Sequence, residues 1–243
     1  MASNTETGNA KNVANFSLVV AYVKEMGTDY NPANPDIKLT ALVAKETAAM
    51  NAMKDVTGAL IPSKNAINAR EAEYNMMGKT ATRVINALAG SGVPSDILKD
   101  ARGIVNKITG KRTGPKPEPD PNNPEGKSIS VSQMSFDSRK ANFEIMVALV
   151  KGQPKYSPNE ADLKVPALEA YVAGLGNVNA TVNNTQTALN GKRNVRDKVL
   201  YEPVFGISDL TGTVKSYVKS VVGVNSPVYK RIAAIQIRRP KIL

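Results

Sequence analysis

The sequence predicts an all-α protein of two tandem homologous helical bundles, about four helices each, joined by a Pro-rich linker. Three observations predict it. The stretch ANFSLVVAYVK at Ala14–Lys24 recurs as ANFEIMVALVK at Ala141–Lys151. In both, apolar residues fall at helical spacing: Phe16, Val19, Val20 and Val23, then Phe143, Met146, Val147 and Val150. The chain is 42% hydrophobic with 5% aromatics and no Trp, a palette of Ala, Val, Leu, Ile and Met that suits helices packed on helices.

The recurrence runs on beyond the first helix. Tyr30-Asn31-Pro32 returns as Tyr156-Ser157-Pro158, Asp36-Ile37-Lys38-Leu39 as Asp162-Leu163-Lys164-Val165, and Ala41-Leu42 as Ala167-Leu168. Arg70 matches Arg193 loosely, and Gly92, Ser95 and Lys99 line up with Gly223, Ser226 and Lys230. A period of about 125 residues is too long for a solenoid and reads as two sister domains. The expected division is a flexible N-terminus at 1–12, copy 1 at 13–109, a linker at 110–135, and copy 2 at 136–243 ending in a basic arm.

In each copy the first helix leads to a turn that opens a second. Asn34-Pro35-Asp36 supplies an N-cap, a proline for the first turn and an acid facing the positive helix end. Ser157-Pro158-Asn159-Glu160 reads as a capping box. Tyr30 and Tyr156, just before these turns, are expected to pack as a hydrophobic staple, with partner anchoring as the functional alternative. Leu168, Val172, Leu175, Val182 and Leu189 form a narrow apolar seam on a long helix reaching toward Leu200. Asn179, Asn183 and Thr185 interrupt it, which suggests a short kink or a partly wet interface. Pro62 is expected to break or bend the matching helix of copy 1. Third helices follow around Thr80–Ala89 and Leu210–Val222. Gly92 and Gly223 sit where helices end in left-handed residues, and Ser95 and Ser226 read as N-caps of short final helices. The tail IQIRRPKIL alternates apolar and basic residues, as a short strand or an extended arm. Prolines at 115, 117, 119, 121 and 124 make the linker an extended spacer, the alternative being a Pro-rich ligand for an aromatic groove.

The quoted pattern, ANF…VK, Tyr-x-Pro-Asn-Glu-x-Asp-Leu-Lys and VKSYVKSVVGVNSPVYKRI, resembles helical proteins of Bacteroidota-type bacteria that carry no assigned activity. The resemblance implies an all-helical fold in a bacterial intracellular setting. It transfers no site residues.

Several chemistries are excluded by composition. With no Cys and no His, the chain has no disulfide, no thiolate nucleophile, no thiol or imidazole metal ligand and no His acid–base catalysis. No cofactor is expected. Gly78-Lys79-Thr80 ends like a P-loop, but Glu73 stands where the earlier glycine belongs, so a helix junction is the better reading. The acid pairs Glu71/Glu73 and Asp96/Asp100 are not repeated in copy 2 and read as solvated helix faces. The N-terminal MASNTETGNAKN lacks an apolar signal-peptide core, and runs such as Leu18–Val23 fall short of the roughly 20 residues of a membrane span. The expectation is a soluble, cytoplasmic protein.

Charge supplies the remaining signal. The net charge is +11, of which +7 falls in residues 141–243, mostly after Lys192. Lys192, Arg193 and Arg196, then Lys230, Arg231, Arg238, Arg239 and Lys241, are the candidate residues for binding a polyanion or a partner. Lys215, Tyr217 and Lys219 lie among them. No helix-turn-helix, zinc finger or RNA-binding signature accompanies this cluster. Two function classes follow. The leading expectation is a non-enzymatic structural protein that self-associates or bridges protein partners through two similar bundles. The alternative is a nucleic-acid or polyanion binder using the basic second half. An enzyme, the third class, would have to run on carboxylates, Lys, Ser or Tyr.

Overall fold

The computed structural model describes residues 8–111 and 133–239, and among these the chain is helical with no strand. Seven α-helices follow in order among the described residues: α1 (Asn9–Glu25), α2 (Leu39–Gly90), α3 (Ser95–Thr109), α4 (Phe136–Lys151), α5 (Val165–Tyr201), α6 (Ile207–Val222) and α7 (Pro227–Ala234). Single 3-10 turns occupy Gly27–Asp29, Pro35–Ile37 and Ala161–Leu163. Residues 112–132, most of the Pro-rich linker, lie outside the described residues.

The first helices fold as their spacing dictates. Phe16, Val19, Val20 and Val23 of α1 are buried, as are Phe143, Met146, Val147 and Val150 of α4. Helix α1 already begins at Asn9 with Asn12 buried, so the supposed flexible N-terminus is helical from residue 9 onward. The tyrosines that follow resolve in favour of packing. Tyr30 and Tyr156 are buried, and each hydroxyl donates to a carbonyl seven residues on, Ile37 at 2.7 Å and Leu163 at 2.8 Å. That bond closes the loop over the 3-10 turn in both copies. Asn34 accepts from the Asp36 N–H at 2.9 Å, but it caps only the 3-10 turn Pro35–Ile37, and the second helix it was expected to open starts at Leu39. The capping box at Ser157–Glu160 does not form. Glu160 itself precedes the 3-10 turn there, without a side-chain cap, and α5 starts only at Val165.

Copy 1 departs further from expectation. Helix α2 runs 52 residues straight through Pro62, absorbing the helix expected separately at Thr80–Ala89. A mid-helix proline forfeits one N–H bond and crowds the carbonyl four residues back, here that of Gly58. The buried residues on both sides, Ala49, Ala52, Ser63 and Ala66, hold the helix across that defect. In copy 2 the same run divides into α5 and α6. The reason lies in Glu202-Pro203-Val204-Phe205-Gly206: 61 positions separate Asp162 from Gly223, against 56 from Asp36 to Gly92. Pro203 restricts Glu202, and the chain turns before α6. Asn179 does not interrupt α5; its amide donates to Tyr74 Oη at 2.9 Å and to Asp137 at 3.1 Å. At the later boundaries Gly92 and Gly223 both have positive φ, 72° and 78°, although Gly223 pairs it with ψ 161° rather than the left-handed helical value. Ser226 caps α7 through Val228, whereas Ser95 is the first residue of α3 and caps nothing. Beyond Ala234 the chain leaves the helix with Ile235 extended, and through Arg239 it forms neither helix nor strand.

The compact units cut across the sequence copies. One comprises Met1–Ser63 with Gln186–Leu243, and the other Lys64–Thr185. The first unit buries Phe16, Val20 and Val23 of α1 and Leu42 of α2 with Leu210, Val214 and Val218 of α6 and Ile232 of α7. The second buries Tyr74, Met77, Val84 and Leu88 of α2 and Ile108 of α3 with Phe143 and Met146 of α4 and Leu168 of α5. Each unit therefore joins the opening helix of one copy to the closing helices of the other. Helix α1 packs on α6 and α7, and α4 packs on α3.

Matching polar stitches seal both exchanges. In the first unit Asn12 donates to the Arg238 carbonyl at 2.7 Å and accepts from the Arg238 N–H at 3.1 Å. In the second, Arg139 of α4 donates to the carbonyls of Ile108 at 3.2 Å and Tyr74 at 2.8 Å. The Ile108 carbonyl lies in the last turn of α3, where the helix itself supplies no donor, so Arg139 satisfies a group that is costly to leave unpaired.

Candidate partner-binding site

The basic residues singled out in the sequence have different local roles. Lys192 pairs with Asp55 at 2.8 Å. Arg196, largely covered, pairs with Asp197 at 2.7 Å, and the Asn9 amide, in the orientation that satisfies its neighbours, accepts from it at 3.1 and 3.2 Å. Arg239 pairs with Asp209 at 2.7 Å. Arg238 binds its near neighbour Gln236 and lends its backbone to Asn12. Lys215 is half-buried and donates to the carbonyls of Ala233, at 3.2 Å, and Ile235, capping the end of α7; burial lowers its pKa. Tyr217 meets Tyr30 edge-on at 5.1 Å, and its oxygen accepts from the Asn31 N–H. These groups hold the first unit together.

What remains for a partner is smaller than the sequence suggested. Arg193 hydrogen-bonds to Asn190 at 3.3 Å, and Lys230 and Arg231 are exposed; among the described residues no carboxylate pairs with any of the three. Lys241 lies outside the described residues.

No other candidate gathers into a reactive centre. Gly78-Lys79-Thr80 lies inside α2 rather than at a helix junction, with Thr80 Oγ1 donating to the Met76 carbonyl. Glu71, Glu73, Asp96 and Asp100 are all exposed. Among the described residues no group of three or more acidic side chains is placed to hold a metal ion, and no helix is long and apolar enough to cross a membrane. Burial raises the pKa of Tyr30, Tyr74, Tyr156 and Tyr201, and pushes Tyr171 up to about 12. That direction is opposite to the one a tyrosine base requires.

Two surface features went unread in the sequence. The first is a groove of about 280 Å³ between α4 and α5, with a floor of Val147, Ala148 and Val172. Lys151 and Glu169, paired at 2.7 Å, stand on its rim, and Glu144, tied to Lys140, lines its wall. The second is the loop between α5 and α6. It holds Val204 63% and Phe205 50% exposed, with Val204 at φ 70°. A β-branched residue in the left-handed region is a genuine outlier, costing on the order of 1–2 kcal/mol. The loop is braced nonetheless. The Val204 N–H donates to Asp209 at 3.0 Å, and that bond, with Arg239, holds the Asp209 carboxyl below its usual range. Gly206 is required, because a Cβ there would meet the backbone of Glu202 at 2.7–2.8 Å.

The chain matches no protein-family model, no curated protein and no solved structure.

Proposed function

We propose that this chain is a non-enzymatic structural or assembly protein, which self-associates or bridges protein partners through two similar helical units. The observation that carries the reading is a matched pair of exposed aliphatics. Leu18 of α1 and Ile145 of α4 occupy the same step of the repeated helix and are 43% and 54% exposed, although Phe16 and Phe143 beside them are fully buried. A lone exposed aliphatic is ordinary. The same one kept outside the core in both copies, where a polar residue would cost folding nothing, favours contact with protein. Val43 and Met50, seven apart and therefore on one face of α2, add to the exposed apolar surface of the first unit. Light scattering across a concentration series tests the reading, with negative-stain imaging to tell filament from discrete oligomer. A mass that rises with concentration supports it; a strict monomer throughout, with no bound protein partner, defeats it.

A second reading, binding to nucleic acid or another polyanion, is favoured by Arg193, Lys230 and Arg231, which are exposed without a carboxylate. Such binding falls steeply with salt. Charge reversal at these three positions would abolish it. Lack of binding to duplex and single-stranded nucleic acid at low salt would end this alternative.

A further inference from the structure

We infer that the chain associates by pairing its copies in trans, copy 1 of one chain with copy 2 of another. This rests on the assembly reading and names its surface and its partner: the face each copy already turns to its sister, and a second copy of this chain. The contacts between the copies come in equivalent pairs. Asn9 and Phe136 each stand five positions before the repeated Ala-Asn-Phe, and Arg70 and Arg196 each stand 28 positions after Leu42 and Leu168. The Arg196 guanidinium donates to Asn9 at 3.1 and 3.2 Å, while that of Arg70 lies over the Phe136 ring at 4.0 Å. Asn12 and Arg139 hold the same step of the repeated helix. Asn12 donates to Tyr201 Oη at 2.8 Å and to the Arg238 carbonyl; Arg139 lies over the Tyr74 ring at 5.5 Å and donates to the Ile108 carbonyl. The turn at Pro35–Ile37 packs on α6, and Asp162 of the matching turn pairs with Arg83, in the stretch of α2 that corresponds to α6.

Each of these contacts runs from one copy to the other, and its equivalent runs back. Such reciprocity marks an isologous interface, in which the same surface on two subunits meets itself. Here the two subunits are halves of one chain, joined covalently only through residues 110–135. A copy without its sister leaves Phe16 with no α6, or Phe143 with no α3, so it must find another copy to cover it.

A second chain supplies that cover with identical contacts. Pairing in trans therefore forfeits only the advantage of the tether, an effective concentration on the order of 1 mM for a short linker. It rises with protein concentration for this reason, and domain swapping of this kind is a low-cost route from monomer to dimer. No disulfide locks the pairing in cis, because the chain has no cysteine.

The same lack of cysteine supplies the test. One full-length chain carries Asn15→Cys and another Gln236→Cys, at positions joined by a hydrogen bond of 2.7 Å from the Asn15 amide to the Gln236 carbonyl. The two are mixed at rising concentration, oxidised, and read by intact mass as the mixed dimer, beside sedimentation of wild type. A mixture of Asn15→Cys with Asp100→Cys, which lies in the other unit, reports random collision. A single chain carrying both Asn15→Cys and Gln236→Cys should close within itself when dilute, and its reduced form should melt like wild type. Cross-linking between the first two chains is expected to exceed collision at least about tenfold and to grow with concentration. Wild type that assembles while this cross-link stays at the collision level overturns pairing in trans and leaves the assembly reading standing. Wild type that stays monomeric at every concentration, with no cross-link above collision, overturns both. A double variant that fails to close when dilute removes the contact itself and overturns pairing in trans.

Discussion

Replacing Phe16 by Ala is expected to loosen helices that the sequence assigns to the other copy. Phe16 is fully buried and shares its core with Leu42 of α2, Leu210, Val214 and Val218 of α6, and Ile232 of α7. Truncating a buried phenylalanine costs about 3–5 kcal/mol, a large part of the roughly 5–15 kcal/mol that holds a domain together. At 1.4 kcal/mol per factor of ten, amide protection set by opening of this unit should drop by about 100-fold or more. Hydrogen exchange read by mass spectrometry localises the loss. Peptides from α1, α6 and α7 should speed up together, while α3 and α4 keep their protection. Phe143→Ala should do the reverse, exposing α4 and α3 and sparing α6. If Phe16→Ala instead loosens α3 and leaves α6 protected, each copy folds on itself and the exchanged packing is wrong.

Three other predictions follow from the same contacts. Tyr30→Phe and Tyr156→Phe each leave a carbonyl without its donor, and each should cost about 1–2 kcal/mol in denaturant melts; unequal effects would contradict the equivalence of the two loops. Pro62→Ala restores a backbone donor at an exposed position of a continuous helix, so it should stabilise by up to about 3 kcal/mol; a lowered melting temperature would mean that the proline is needed. Asp162 and Asp209 titrate below the ordinary carboxylate range, Asp162 mainly through its hydrogen bond from Arg83 and Asp209 mainly through the Val204 N–H. Protons therefore bind the folded state less readily than the unfolded one. The stability these groups add is present above the ordinary carboxylate pKa and disappears as pH falls through their lower folded values. Denaturant melts across the acid range should show that loss, and Asp162→Asn with Asp209→Asn should flatten it.

What the sequence disclosed depended on how local the determinant was. Helical spacing in α1 and α4 placed Phe16, Val19, Val20 and Val23 and Phe143, Met146, Val147 and Val150 in the core, missing only buried positions such as Val13, because a helix buries one face whatever it packs against. The positive-φ glycines at 92 and 223 and the cap at Ser226 were also legible, being set within a few residues. Pro62 misled because a local penalty was outweighed by burial along the rest of α2. The exchange between copies left no local trace: the repeat shows that Phe16 and Phe143 are equivalent, but either could face its own third helix or its sister's. Charge misled in a related way. Lys192, Arg196 and Arg239 read as a free cluster, yet their carboxylate partners include Asp55, more than 130 positions away in the chain. The loop at Val204 and Phe205 was written in sequence as a length difference between the copies, and only its backbone shows that the residues are held outward under strain.

The most direct test of the central claim, that each compact unit is assembled from both copies, is to divide the chain within its linker. Residues 1–111 and 133–243, made separately, should not fold as monomers, since each lacks half of both cores. Mixed, they should form a one-to-one complex that regains helical circular dichroism and melts cooperatively. A fragment that melts cooperatively as a monomer, near the temperature of the full chain and without binding the other, would contradict the account.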